Sequence, residues 1–499
     1  GVYYKPLLNI FYALNYAIGN GSPFPFHFFQ IFLHVVNACI LFLIFKHFFK
    51  LPLAFTLALL FLVHPINSEA AFYIADTQDV LFFFFGIISL WILKNYNSHK
   101  AIIVTSIGLL FSLLSKETGL LFILVAFFQT FLFRKKSILP LIGYLSVALF
   151  IYLLLRINAV GIFTKSLAPI AMLDINGRFL NMPAIFFFYL KTFFFPLNLA
   201  VSHQQIYTNI TFNNFFLPLI VDFVFLSILV FFAVMLYKRY SHKYFVNYIL
   251  FLFWFIIGIS LHLQIIPLDA TVAERWFYFP IVGLLGMGGV LSEAFLIERT
   301  GKSIAVVAVI ILILFSIRTF IRSFDFRYDF VLVTHDITIS KDDFVLENAL
   351  ASELIKRGQW EEAKIHAERS ITIYPNTHNY NNLGTIYLSA NDYKKAEESY
   401  LKAFEYGDFY LAYENLASLY MIYGNPEDNI TFLKSAIRKY PQNARMLTPL
   451  AVLEYNNNHI EEAKKTITEA YGYSRDPQVI NIYNKIMNDL PININFKIR

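Results

Sequence analysis

YNNLGTIYLSANDYKKAEESYLKA, residues 380–403, carries small residues at Gly384, Ala396 and Ala403 with an aromatic at Tyr387, and this arrangement recurs. From about residue 344 a small residue returns at Ala351, Gly384, Ala417 and Ala451, a step of 33 or 34 positions. An aromatic or Leu stands three further on at Leu354, Tyr387 and Tyr420, a second small residue at Ala363, Ala396 and Ala463, and a fourth anchor at Ser370, Ala403, Ala436 and Ala470. Small side chains let the two helices of a hairpin touch, and Pro375 and Pro441 stop the second helix of two units. Four anchors holding one period predict about four stacked hairpins over residues 344–490, an α-solenoid rather than a bundle with coincident alanines. Asn429 and Glu454 interrupt the pattern in the third and fourth units.

Period and anchors together are the signature of tetratricopeptide repeats. What precedes them has another character. With 57% hydrophobic and 15% charged residues the chain departs from average soluble composition. About ten apolar runs lie near residues 25–47, 51–66, 79–93, 101–115, 118–133, 138–156, 215–237, 244–264, 276–297 and 303–321. Several fall short of the roughly 20 residues a perpendicular span needs, so their ends extend into polar junctions or re-enter the bilayer. The fold class expected is all-α, a polytopic transmembrane bundle followed by the solenoid. Residues 1–24 read as the end of an outer loop with an interfacial helix opened by Pro6, and 25–325 as the membrane domain with a long outer loop near 157–214. Residues 326–343 read as a linker.

Basic residues fill alternate turns: Lys46 and Lys50, Lys94 and Lys100, Arg134 to Lys136, Lys238 to Lys243, and Arg299 with Lys302. The positive-inside rule makes those turns cytoplasmic and puts the repeats on the opposite side. The net charge of +6 is spread over these turns and calls for no nucleic acid. The one cysteine, Cys39, excludes an internal disulfide, and the scattered histidines give no metal cluster. The tripeptides at Asn20, Asn209 and Asn429 match the common glycosylation acceptor pattern. Richness in Phe, Ile, Asn and Lys fits an AT-rich genome and hence a bacterial inner membrane with periplasmic repeats; the eukaryotic equivalent is the endoplasmic reticulum with lumenal repeats.

Charged residues at the ends of apolar runs are costly within hydrocarbon and are therefore functional candidates. Four groups fall on the outer side. They are His64-Pro65-Ile66-Asn67-Ser68-Glu69 with Asp76 and Asp79; Ser115-Lys116-Glu117-Thr118-Gly119; Glu274-Arg275-Trp276-Phe277-Tyr278; and Lys191, Pro196, Asn198 and His203. Each has a plainer reading. Lys116 and Glu117 would suit a solvated turn, Arg275 an interfacial anchor, His64 a helix-end cap, Asp76 and Asp79 N-terminal helix acids, and His203 an ordinary loop. Basic side chains at headgroup depth suit a lipid-linked phosphate, whose tail stays in the bilayer.

These segments resemble the polytopic GT-C type glycosyltransferases that use lipid-phosphate sugars, in the branch with C-terminal tetratricopeptide repeats that includes the protein O-mannosyltransferases. The matching pieces, in family order, are Tyr4-Lys5-Pro6-Leu7, Leu14-Asn15-Tyr16, His34 and Asn37, His64-Pro65-Ile66 with Glu69-Ala70, Asp79-Val80-Leu81, Ser115 to Gly119, Phe195-Pro196-Leu197-Asn198-Leu199, and Glu274-Arg275 with Tyr278 and Pro280. Family members usually carry Arg where this chain has Lys5, and a basic residue where it has Thr77. The resemblance implies inverting displacement of a mannose-like sugar from a polyprenyl-phosphate donor onto an outer acceptor, protein Ser or Thr hydroxyls foremost. It places the main catalytic acid upstream of Gly1 and leaves Asp79 and Glu69 as substitutes. Lys116, Arg275, Lys5 and His64 would hold the departing phosphate, supported by Glu117, Glu274, Tyr278 and His203. No cofactor is required, and a divalent metal is left open. The partners implied are the lipid-linked donor, the membrane, and an acceptor or partner protein in the concave face of the repeats, where Asn381, Asn382, Tyr413 and Asn415 are candidates. A membrane scaffold without catalysis, or a polymerase, ligase or transporter of lipid-linked glycans, are the competing classes.

Overall fold

The computed structural model describes residues 4–161, 168–204 and 206–492, with backbone only for 296–304; residues 1–3 of the expected opening segment, and 162–167 and 205 of the expected long loop, lie outside the described residues. The fold is all-α. No strand occurs among the described residues, and the one isolated bridge joins His203 to Val272. The chain divides into two compact units, Gly1–Ser340 and Lys341–Arg499.

Among the described residues, six helices of the first unit are long and apolar enough to cross a membrane: Phe24–Phe45, Ile74–Asn95, Lys135–Val160, Phe212–Arg239, His242–His262 and Ala305–Arg327. Leu51–Val63 and Pro65–Phe72 form a pair bent by 48°, and His99–Ser115, Glu117–Phe133 and Pro280–Phe295 are shorter apolar helices. The protein is a membrane protein. Close approach in its core relies on glycine: a Cβ on Gly86 would meet the Phe122 ring at 2.1 Å, and one on Gly283 would meet the backbone N of Phe255 at 2.6 Å. Small residues at such crossings let transmembrane helices touch.

Two stretches differ from the sequence reading. The stretch 157–214, expected to be one long loop, contains a 20-residue helix, Ile175–Phe194, started by Asp174, whose side chain accepts from Gly177 N. Residues 326–343 are not a linker, because Asp329–Ile339 is helical and buries Leu332, Val333 and Asp336.

The second unit is four helix pairs, Phe344–Lys356 with Trp360–Ile373, Thr377–Ser389 with Tyr393–Glu405, Tyr410–Tyr420 with Pro426–Lys439, and Ala444–Asn456 with Ile460–Tyr473, then a closing helix Pro477–Met487. Ala351, Ala417, Ala451, Ala363, Ala396, Ala463 and Ser370 are fully buried where paired helices cross. Within each hairpin one residue takes positive φ at the same place: Gly358 (71°), Asn391 (60°), Gly424 (94°) and Asn458 (64°). Gly and Asn tolerate that left-handed conformation best. The two pattern breakers are accommodated by hydrogen bonds. Asn429 Nδ2 donates to Tyr420 O (3.2 Å) and Tyr423 O (2.9 Å), and buried Glu454 accepts from Thr466 (2.8 Å) and meets Lys434 (3.2 Å).

Candidate active site

The site is built on breaks in helices. Pro65 cannot continue the helix Leu51–Val63, which frees its last carbonyls. Three of them find side-chain donors: Asn67 Nδ2 to Phe61 O (2.7 Å), His34 Nε2 to Leu62 O (3.0 Å) and Thr319 Oγ1 to Val63 O (2.8 Å). With its proton on Nε2, His34 accepts the Tyr278 hydroxyl at Nδ1 (2.7 Å), and Asn37 donates to that hydroxyl at 3.2 Å. Buried Gln30 closes the next break. Its amide donates to Ala70 O (2.7 Å) and Tyr73 O (2.9 Å) and accepts from Thr77 Oγ1 (3.0 Å). These bonds fix Glu69 before the turn and Asp76 and Asp79 at the start of helix Thr77–Asn95, where the helix dipole favours negative charge.

Two of the residues expected to hold phosphate, Lys116 and Arg275, meet carboxylates at that helix start. Lys116 follows the end of helix His99–Ser115 in extended conformation and sets Nζ 2.6 Å from Asp79 Oδ1. Its turn needs Gly119, because a Cβ there would lie 2.5 Å from the Ser112 carbonyl carbon. Arg275, on the turn Glu274–Tyr278, pairs with Glu69 Oε1 through its guanidinium, donates its backbone N–H to Glu69 Oε2 (2.8 Å), and places Nε 3.2 Å from Asp76 Oδ1. The side chains of Glu69, Asp76, Asp79 and Arg275 are only 1%, 6%, 2% and 15% exposed. Burial opposes the Arg275 charge, but Asp76, Glu69 and Asp79 outweigh it and hold the guanidinium protonated more firmly than usual. Lys5 stands within electrostatic reach of Lys116, Asp79, Asp269 and Arg275, and burial first, then Lys116, lowers it from 10.5 to about 8.

Three buried polar atoms in this cluster have no hydrogen-bond partner among the described residues: Asp76 Oδ2, Asp79 Oδ2 and Arg275 Nε, whose ion pair with Asp76 lacks hydrogen-bond alignment. Buried polar groups are normally satisfied, so these atoms are the least settled part of a cluster in which Lys116 and Arg275 face Asp79, Glu69 and Asp76.

The other expected residues take different places. Glu69 has one oxygen on the guanidinium and the other on the Arg275 amide, so it is a counter-ion and not a free base. His64 is removed from the phosphate set: Nε2 faces Phe193 O (3.1 Å), Nδ1 accepts from Ile66 N (3.2 Å), and the ring stacks on Phe193. Glu117 turns to Arg156 (3.0 Å), and Tyr278 is a buried strut between helices. Glu274 accepts from Ala200 N (2.7 Å) and faces His203 Nε2 at 3.4 Å, while Lys191 is exposed. In the solenoid, Asn382 donates to Asn348 Oδ1 (2.8 Å) and Asn415 to Asn381 Oδ1 (2.9 Å), each tying one repeat to the next, and Tyr413 stacks on Phe404 at 4.2 Å. Asp76 and Asn67 stood in the first polar group, but the pairing of Asp76 with Arg275 and the cap Asn67 gives Phe61 O were not foreseen, and Gln30 was not singled out at all. The signal available was their polarity within or beside apolar runs.

A tetratricopeptide-repeat family model matches residues 377–406. Human protein O-mannosyl-transferase TMTC3 is 24% identical over 446 residues, 80% of this chain and 48% of its own length. Caenorhabditis elegans protein O-mannosyl-transferase F38B6.6 is 26% identical over 211 residues, 40% of this chain and 30% of its own. The chain thus spans about half or less of the length of these curated relatives. Among solved structures, YrrB, a tetratricopeptide protein with an unusual peptide-binding site, aligns at 16% identity over 32% of this chain and 93% of its own, with a TM-score of 0.26. The chain is therefore a membrane protein with tetratricopeptide repeats that is similar, over four-fifths of its length, to a protein O-mannosyl-transferase.

Proposed function

We propose that this chain acts as a glycosyltransferase that moves a mannose-like sugar from a polyprenyl-phosphate donor to an acceptor hydroxyl on the outer side of the membrane. The observation that carries the reading is the pair of anchored cations, Lys116 and Arg275, flanking unsatisfied buried atoms of Asp76, Asp79 and Arg275. In this scheme Lys116, Arg275 and Lys5 neutralise the charge that grows on the leaving lipid phosphate. Lys and Arg suffice for a monophosphate, so the scheme needs no divalent metal. Asp79, whose Oδ2 stays unused, is the carboxylate of this chain best suited to take the acceptor proton. The oxygen then attacks the anomeric carbon from the face opposite the phosphate, and the configuration inverts.

The basic turns support a reading in which the site and the repeats lie outside the cytoplasm. The repeats gather the acceptor or a partner protein. Transfer of labelled sugar from a polyprenyl-phosphate donor, in cells lacking their own copy and complemented with Lys116→Met or Arg275→Gln in the full-length protein, tests the reading. Each change should reduce glycan transfer strongly. Unchanged transfer in both would favour a scaffold, and sugar recovered on extracted lipid instead of protein would favour a polymerase or ligase.

A further inference from the structure

Away from the cations, Arg322 and Asp336 form an ion pair whose side chains are 1% and 0% exposed. The pair is bidentate, Nη1 to Oδ1 at 2.6 Å and Nη2 to Oδ2 at 2.9 Å. Arg322 also meets Asp325 (3.0 Å), and Asp336 Oδ1 lies 2.7 Å from His335 Nδ1. A buried ion pair is a poor stabiliser compared with packed apolar side chains, so its geometry matters more than its energy. Asp336 Oδ2 accepts the backbone N–H of Val201 at 2.8 Å. The preceding amide, Ala200 N, donates to Glu274 Oε1 at 2.7 Å. Two consecutive amides are thus held by two buried carboxylates, one on the helix Asp329–Ile339 and one immediately before Arg275. The same segment is tied again where Val272 N donates to His203 O (3.4 Å), and Arg318 Nη2 binds Leu197 O at 2.9 Å.

We propose that Asp336, held in place by Arg322, is a positioning residue: through the amides of Ala200 and Val201 it fixes the segment Thr271–Arg275 and so aims the Arg275 guanidinium at the donor phosphate. This rests on the lipid-phosphate reading above for its consequence, though not for its geometry. Asp336→Asn keeps the shape and weakens both the guanidinium bond and the amide bond. Arg322→Lys keeps the charge and loses the two-pronged contact, a milder change.

The test uses the full chain in nanodiscs with a short-chain polyprenyl-phosphate mannose as probe, read by hydrogen exchange and by equilibrium binding. In Asp336→Asn, amides of 199–203 and 271–276 should exchange about tenfold faster while the rest of the chain is unchanged. Donor Kd should rise about tenfold with the bound amount at saturation unaltered, a free-energy change equivalent to tilting one charge-assisted contact. Arg322→Lys should move both readouts in the same direction by less. Unchanged exchange in these segments overturns the clamp, and faster exchange with donor affinity intact overturns its role in aiming Arg275. Failure of both variants to fold would make the pair purely structural and also overturn the proposal. If the unsubstituted chain binds no donor, the functional reading fails instead, and the exchange data still judge the clamp.

Discussion

Replacing Arg275 by Ala removes one guanidinium and strands two carboxylates. Glu69 and Asp76 are 1% and 6% exposed at the side chain, so neither recovers full hydration when the cation goes. Removing one partner of a buried ion pair costs about 3–5 kcal/mol, because the charge left behind is uncompensated. Exposed pairs, by contrast, are worth about 0–1 kcal/mol. The expected loss for Arg275→Ala is therefore in the larger range, a sizeable part of the 5–15 kcal/mol typical of a domain. Removing all three charges together, Arg275→Met with Glu69→Gln and Asp76→Asn, should restore most of that stability, since a neutral set is often as stable as the ion pair it replaces. Donor binding should stay lost in the triple variant, because nothing cationic replaces the guanidinium. Unfolding in mixed micelles measures the first quantity and binding of a short-chain polyprenyl-phosphate sugar the second. A loss below about 1 kcal/mol for Arg275→Ala, in the range of exposed pairs, would refute the buried-network account. Donor binding regained in the triple variant would refute Arg275 as the phosphate ligand.

Lys5 gives a pH signature. Burial lowers it from 10.5 to about 8, so the folded chain releases this proton before the unfolded chain does. Stability linked to Lys5 therefore rises between about pH 8 and 10.5, while its charge, and with it phosphate affinity, falls over the same window. Binding titrations should show donor affinity dropping several-fold above pH 8, with Lys5→Arg flattening the profile; a flat profile in the unsubstituted chain would remove Lys5 from the site. Gly283→Ala would place a methyl 2.6 Å from Phe255 N and 2.7 Å from Phe251 O, both backbone atoms of the neighbouring helix. Forced separation of those helices should cost about 1–3 kcal/mol or more, visible as a lower melting temperature in detergent. Gly384→Ala meets the Tyr400 ring at 2.6 Å and should lower the stability of the repeats by a similar amount, about 1–3 kcal/mol, followed by circular dichroism.

The repeats were legible because their constraint is local and periodic: a small residue is needed wherever paired helices cross, and Ala351, Ala417 and Ala451 are fully buried there. The positive-φ turn at Gly358, Asn391, Gly424 and Asn458 shares that period but mixes two residue types, which hides it from a search for small side chains. In the membrane unit, apolar runs gave the helices, and charges at their ends gave Lys116, Asp79, Glu69 and Arg275. What sequence could not supply was pairing. Residues 69 and 275 are brought together only by the tertiary fold, so Glu69 looked like a base when it is the counter-ion of Arg275. His64 misled for a related reason, since a histidine before proline reads the same whether its ring faces a ligand or, as here, the Phe193 carbonyl. The helix Asp329–Ile339 was missed because its buried Asp336 and the polar residues around it look like linker composition until Arg322 is seen beside them.

In the proposed function, Lys116 and Arg275 hold the donor phosphate at one site. Saturable binding of a short-chain polyprenyl-phosphate mannose to the full chain in nanodiscs, competed by the corresponding polyprenyl monophosphate, measures this directly. One-site binding is predicted, weakened more than tenfold by Lys116→Met and by Arg275→Gln, each about 1.4 kcal/mol or more. Absence of saturable binding, or equal affinity in the unsubstituted chain and both variants, would contradict it.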